Sequence, residues 1–224
     1  MWSAIVEWRE RPLWLTKEAS CARWFWMASV GGVGFLIGSA LLGWWGDVAV
    51  SQAVGHARWV SAYRPLIQAV SDWGLYVFYA FFLGVVAYAV RYPLPWPRTV
   101  ALGWVWAELI GSLLAVQVIK TLAGRARPEQ AWLTGGADQW FGLTLRAAYH
   151  SFPSGHTADA FISAAFVVLL VRSSVAGCLA WGLALAIAFS RIALAKHYLS
   201  DVLAGAVLAG VFTWLVVRRW RREG

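Results

Sequence analysis

The sequence predicts an all-α integral membrane protein, a bundle of six helices, and three observations carry that prediction. Of the 224 residues 60% are hydrophobic and only 13% charged, against roughly 45–50% apolar in an ordinary soluble chain. So few charges cannot clothe so much apolar surface in water. The hydrophobic residues also fall in runs near bilayer-crossing length, about 20 residues with a range of roughly 17–25. Finally, basic residues and many of the 17 tryptophans gather at the ends of those runs, where headgroups lie.

Taken in order, the spans are expected at about 24–45, 74–90, 99–119, 157–171, 175–190 and 202–217. The first holds no charge. A basic, proline-rich stretch, 91–98, separates the second from the third. The last three are short and extend into the polar residues beside them. Residues 46–73 contain enough apolar side chains for a helix lying on the membrane surface. Trp44, Trp45, Trp73 and Trp96 stand near run ends and read as interfacial anchors. No repeat, low-complexity tract or second domain interrupts the chain, so residues 1–224 are read as one domain. The N-terminus lacks a short apolar core followed by a small-residue cleavage site, and the first span is expected to act as the insertion signal.

The net charge of +8 could suit nucleic acid, but its placement at run ends favours anionic lipid headgroups instead. With the N-terminus inside, the inner segments hold Arg9, Arg11, Lys17, Arg23, Arg91, Arg98, Arg172, Arg218, Arg219, Arg221 and Arg222. The outer segments hold Arg58, Arg64, Lys120, Arg125, Arg127, Arg146, Arg191 and Lys196. Eleven against eight places both termini in the cytoplasm. Cys21 and Cys178 then face the reducing side and receive no role.

This topology gathers the unusual polar residues at the outer ends of the helices. Lys120 and Arg127 follow the third span, Ser154, Gly155 and His156 precede the fourth, and Arg191, His197 and Asp201 lie between the fifth and sixth. The segments read Lys120-Thr-Leu-Ala-Gly-Arg-Ala-Arg127-Pro128, then Pro153-Ser154-Gly155-His156, then Ser190-Arg191-Ile-Ala-Leu-Ala-Lys-His197-Tyr-Leu-Ser-Asp201. In order and spacing they resemble the three-part signature of the type 2 phosphatidic acid phosphatase (PAP2) superfamily, in its membrane lipid-phosphatase branch. The motif core covers residues 120–201, and each motif position is filled.

The resemblance implies a metal-independent phosphatase, without cofactor, acting on a lipid phosphate or diphosphate. It implies His197 as nucleophile, forming a phosphohistidine, and His156 as the acid that protonates the leaving oxygen and then assists water. Chemistry supports those roles. Phosphate ester hydrolysis is among the slowest uncatalysed reactions, so the negative phosphoryl oxygens must be stabilised by fixed charge. Lys120, Arg127 and Arg191 supply three cations, and the arginine fork matches two oxygens. Ser154 can donate its hydroxyl, and the Gly155 amide donates at a helix start where the dipole favours an anion. His197 and Asp201, four residues apart, would share a helix face. The carboxylate then takes one imidazole proton and frees the other nitrogen.

Other residues receive structural readings. Arg125 matches no motif position and is expected at a headgroup. Glu108, in mid-span, is expected to pack in protonated or hydrogen-bonded form. Asp159 complements a helix start, and His56 and His150 lie on the surface. No cluster has metal-ligand spacing. Trp132, Trp140 and Phe141 could line a lipid entrance.

The resulting expectation is a bacterial inner-membrane enzyme with its site facing the periplasm and no nucleic-acid partner. Candidate substrates are undecaprenyl diphosphate, phosphatidylglycerol phosphate, phosphatidic acid and lipid A phosphate. Alternatives are phosphate transfer to a second lipid and a non-catalytic lipid transporter or scaffold.

Overall fold

The computed structural model describes residues 45–222 except 93, 134, 136, 137 and 172. The expected first span up to Trp44, the inner basic residues before it, Cys21 and Arg172 lie outside the described residues. Every regular element among the described residues is helical. Numbered from the first of them, the helices are α1 (Trp45–Gly55), α2 (Arg58–Ala62), α3 (Arg64–Arg91), α4 (Pro95–Ala123), α5 (Pro128–Leu133), α6 (Gly155–Leu170), α7 (Ser174–Ala193) and α8 (Leu199–Arg222).

Four of these, α3, α4, α7 and α8 as far as Trp220, are long and apolar enough to cross a membrane, and α6 is a shorter apolar helix. Residues 46–73 divide differently from expectation. Helices α1 and α2 end by Ala62, and Arg64-Pro65 opens α3 ten residues before the expected start of the second span. Proline near a helix start loses no internal hydrogen bond, because the first amides have no partner there anyway. Helix α4 is α-helical at both ends and π-helical over Ala107–Val116. It stops at Gly124, whose φ of 59° is left-handed. A Cβ there would lie 1.9 Å from the Gly142 carbonyl oxygen, so a side chain is excluded twice over.

The core lies around α6, against which α7, α8, α4 and α3 all pack. Phe82 of α3 stacks on Trp104 of α4 with ring centroids 4.5 Å apart, and Trp220 of α8 meets the edges of Trp96 and Phe166. Trp96 is therefore a buried core residue and not an interfacial anchor, whereas Trp73 is exposed. Glycine sets the closest approach. A Cβ on Gly205 of α8 would lie 2.4 Å from the backbone oxygen of Ser154, so α8 seats directly against the start of α6. That contact fixes the level at which the polar ends of the helices meet.

Candidate active site

Asp201, in the first turn of α8, ties together all three of the segments singled out in the sequence. Its Oδ1 accepts from Arg125 Nη1 at 2.6 Å, and its Oδ2 accepts from the Ser151 hydroxyl at 2.5 Å and the Tyr198 amide at 2.8 Å. Its backbone carbonyl accepts from the Ser154 amide at 2.9 Å. Both oxygens of this buried carboxylate accept hydrogen bonds, as burial of a charge requires.

His197 does not share a helix face with Asp201, because α8 begins only at Leu199 and His197 sits in the turn before it. That turn passes through Ala195 in the left-handed region, φ 54°, and returns the His197 amide to the Arg191 carbonyl at 3.1 Å. The nearest partner of His197 Nδ1 is the Ser151 carbonyl at 2.7 Å, with Asp201 Oδ2 at 3.5 Å. A carbonyl can only accept, so Nδ1 carries the proton and Nε2 keeps the lone pair. Burial pushes the imidazole down to about 4, Asp201 pulls against that, and Arg191 and Lys120 push the same way as burial. His197 is neutral at physiological pH.

The charged groups converge on His156, the second residue of α6. Burial pushes its ring down to about 3, and Arg191, His197, Lys120 and Arg127 push the same way. Lys120 approaches the first turn of the same helix, for a Cβ at Gly155 would lie 3.4 Å from its Nζ. Ser154 caps α6 without bonding its side chain to the helix amides, and its hydroxyl accepts from Thr157 Oγ1 at 3.0 Å. The first amides of α6 and the Ser154 proton therefore remain for an anion. Arg191 is held by Nη1 donating to Ser71 of α3 at 2.5 Å, while the buried Nε atoms of Arg191 and Arg127 have no hydrogen-bond partner. Burial lowers Arg127, and Glu129 and Asp201 offset part of that. Among the described residues no group of three His, Cys, Asp or Glu side chains could hold a metal ion. The site is cationic and shaped for an anion.

Arg125 departs most from its expected place at a headgroup. It is fully buried and donates to Asp47, Asp138, Ser200 and Asp201 at 2.6 to 2.9 Å. Tyr198 lies below it at 3.9 Å and Trp140 beside it at 5.0 Å. Burial pushes the guanidinium down, and Asp201, Asp138 and Asp47 together hold it above the usual arginine range. Asp47 also accepts from the Ser200 amide at 3.0 Å, joining α1 to the start of α8. Only the acidic partners signal this in the sequence, and they stand in three separate segments.

Two further expectations change, those for Asp159 and His150. Asp159 does not serve the start of α6. It accepts from Tyr79 of α3 at 3.0 Å and from Ser112 of α4. His150 is buried, with Nε2 at 2.9 Å from the Thr144 carbonyl, whereas His56 is exposed and rests on Trp132. Trp132 packs on Gly55 of α1 and Trp140 lies beside Arg125, while Phe141 is exposed against Tyr149. Glu108 is hydrogen-bonded, accepting from Ser163 at 2.9 Å.

Comparison with known proteins bears on this arrangement. The profile of the PAP2 superfamily matches residues 101–224. A lipid A 1-phosphatase of Rhizobium etli is 34% identical over 125 residues, 54% of this chain and 51% of that protein. Another, of Rhizobium johnstonii, is 33% identical over 129 residues, 54% of this chain and 50% of that protein. The chain thus spans about half the length of these relatives. A transmembrane PAP2-type phosphatidylglycerolphosphate phosphatase of Bacillus subtilis, known from its crystal structure, superposes with a TM-score of 0.57 over 88% of this chain and 97% of its own. At 21% identity that likeness concerns the fold.

Proposed function

Because the chain belongs to the PAP2 superfamily, we propose that it is an integral membrane phosphatase that hydrolyses a lipid phosphate or diphosphate through His197. One observation carries the reading: a neutral, buried imidazole, its Nδ1 bonded to a backbone carbonyl, stands with His156 among Lys120, Arg127 and Arg191. The three cations, Ser154 and the first amides of α6 hold the phosphoryl oxygens. Nε2 of His197 attacks phosphorus and the bond to the lipid oxygen breaks. His156, protonated once the negative phosphate offsets the burial and the cations that lower it, gives that oxygen its proton. A phosphohistidine results. Water then attacks its phosphorus, His156 takes the water proton, and inorganic phosphate leaves with His197 restored.

The same reading gives six spans within one domain, 1–224, with 24–45 as the first and both termini in the cytoplasm of a bacterial cell. The site then faces the periplasm, and the substrate is an envelope lipid whose chains stay in the bilayer. The excess of basic residues on the inner segments supports that orientation. The names of the relatives support a lipid phosphate as substrate.

Phosphate release in detergent from lipid A 1-phosphate, phosphatidylglycerol phosphate, phosphatidic acid and undecaprenyl diphosphate tests the reading. Release by the parent and its loss in His197→Ala is the expected result, together with an acid-labile phosphoenzyme in the parent. Full activity in His197→Ala overturns it.

A further inference from the structure

Beneath the phosphate-binding groups, a cavity of about 420 Å³ runs along α4 into the membrane region. Lys120 and His156 stand at its outer end, and Tyr79, Glu108, Ser112 and Asp159 line its deeper part. Lys120 and Glu108 are twelve residues apart, on the order of 15 Å along a helix. Glu108, Ser112 and Val116, four residues apart along α4, all line the cavity. Leu109 and Leu113 border the same cavity and are exposed, so it opens sideways toward lipid.

The lining has a chemical direction. Its outer end is cationic and its inner part is rich in oxygen: two carboxyl groups, the Ser112 hydroxyl and the Tyr79 phenol. An anionic phosphate is held at the outer end by Lys120. The group that follows the phosphate must then lie among hydrogen-bonding side chains. Tyr79 and Ser112 donate to Asp159, and Ser163 donates to Glu108, but a carboxyl oxygen can accept more than one hydrogen bond, and an apolar chain would leave that remaining capacity unfilled. A hydroxyl or amide would fill it.

Building on the reading of Lys120 and His156 as parts of the phosphate site, we propose that this cavity binds the headgroup portion between phosphate and acyl chains. Its Glu108, Ser112 and Asp159 select a hydroxyl- or amide-bearing group, a sugar or a glycerol, over a prenyl chain joined directly to phosphate. Hydrogen bonding sites discriminate strongly, because the wrong substrate leaves buried polar groups unpaired.

The test is kcat/KM for phosphate release from three lipids in one detergent: a disaccharide lipid 1-phosphate, phosphatidylglycerol phosphate and a prenyl phosphate. The parent prefers one or both of the hydroxylated lipids. Asp159→Asn and Glu108→Gln each lower that preference by about tenfold or more, and a fall confined to the sugar or to the glycerol arm identifies which group is read. Ser112→Ala, which removes a single hydroxyl, keeps the test open where a carboxylate variant does not fold. A parent preference for the prenyl phosphate overturns the proposal, as does a ratio that stays fixed in folded variants. Failure of the parent to release phosphate from any of the three lipids sinks the phosphatase reading instead.

Discussion

Nη1 of Arg125 lies 2.6 Å from Oδ1 of Asp201, and both side chains are wholly buried. The pair joins the segment after α4 to the start of α8, and Asp201 in turn holds Ser151 and Tyr198 on either side of His197. Arg125 is a positioning residue. It reaches His197, the proposed nucleophile, through Asp201 and the loop carbonyl of Ser151. Removing one member of a buried ion pair costs about 3–5 kcal/mol, since the other charge is left uncompensated. Arg125→Gln leaves Asp47, Asp138 and Asp201 facing one another. We expect a large fall in thermal stability in detergent and a fall in kcat. Arg125→Lys, which lacks the fork, recovers only part of either. Normal kcat in Arg125→Gln would remove its link to His197.

The acid side of the pH response follows from His197. Its folded value of about 4 lies below the ordinary 6.5, so the unfolded chain takes up the proton first. Stability contributed by the neutral ring is present above about 6.5 and is lost as the pH falls toward about 4. Histidine ¹⁵N shifts, assigned with His197→Ala, are expected to show a neutral ring with Nδ1 protonated down to the region of pH 4. A ring that titrates near 6.5 contradicts the buried geometry. Asp201→Asn removes the one charge that pulls the value up and is expected to move it lower still.

What the sequence made legible follows from how locally each feature is specified. Lys120, Arg127, His156, Arg191 and His197 stood out because their spacing and residue types were visible within short segments. Four of the spans were legible for the same reason, since apolar runs need no tertiary partner to be recognised. Arg125 was not, because its carboxylates come from α1, the loop before Trp140 and α8, and a lone arginine beside a span looks like an anchor. The spacing of His197 and Asp201 suggested a shared helix, but the chain needs the left-handed turn at Ala195 before α8 can start. Asp159 and Ser112 meet only because α6 and α4 pack together. Side-chain partners across helices are written in packing, and packing is not local.

Gly205 offers a test of how α8 sets the start of α6. A methyl group there meets the backbone oxygen of Ser154 at 2.4 Å, which cannot turn away as a flexible side chain could. Overpacking of this kind costs typically about 1–3 kcal/mol. We expect Gly205→Ala to displace Ser154 and Gly155 and to lower kcat/KM more than it lowers stability. Gly182→Ala on α7 has open space around it and serves as the control, with little change in either measurement. Equal, small effects at both positions would show that α8 does not fix the anion-binding end of α6.

The cationic cluster predicts a distinct response to vanadate, which presents phosphate-like oxygens and accepts a fifth ligand from a nucleophile. Arg191 is held at Ser71 through Nη1, and its buried Nε is left without a partner beside His156. A lysine at this position keeps the charge but loses the planar fork. We expect vanadate to compete with lipid phosphate in the parent. Arg191→Lys should weaken vanadate and lower kcat together, by about 10²–10³-fold in rate if the fork acts like a preorganised donor at the reacting oxygens. Ser71→Ala releases the guanidinium without removing it and should give a smaller loss of the same kind. Parent activity that is indifferent to millimolar vanadate would detach these cations from the phosphoryl group. A fall in KM affinity at unchanged kcat in Arg191→Lys would instead limit Arg191 to holding the ground state.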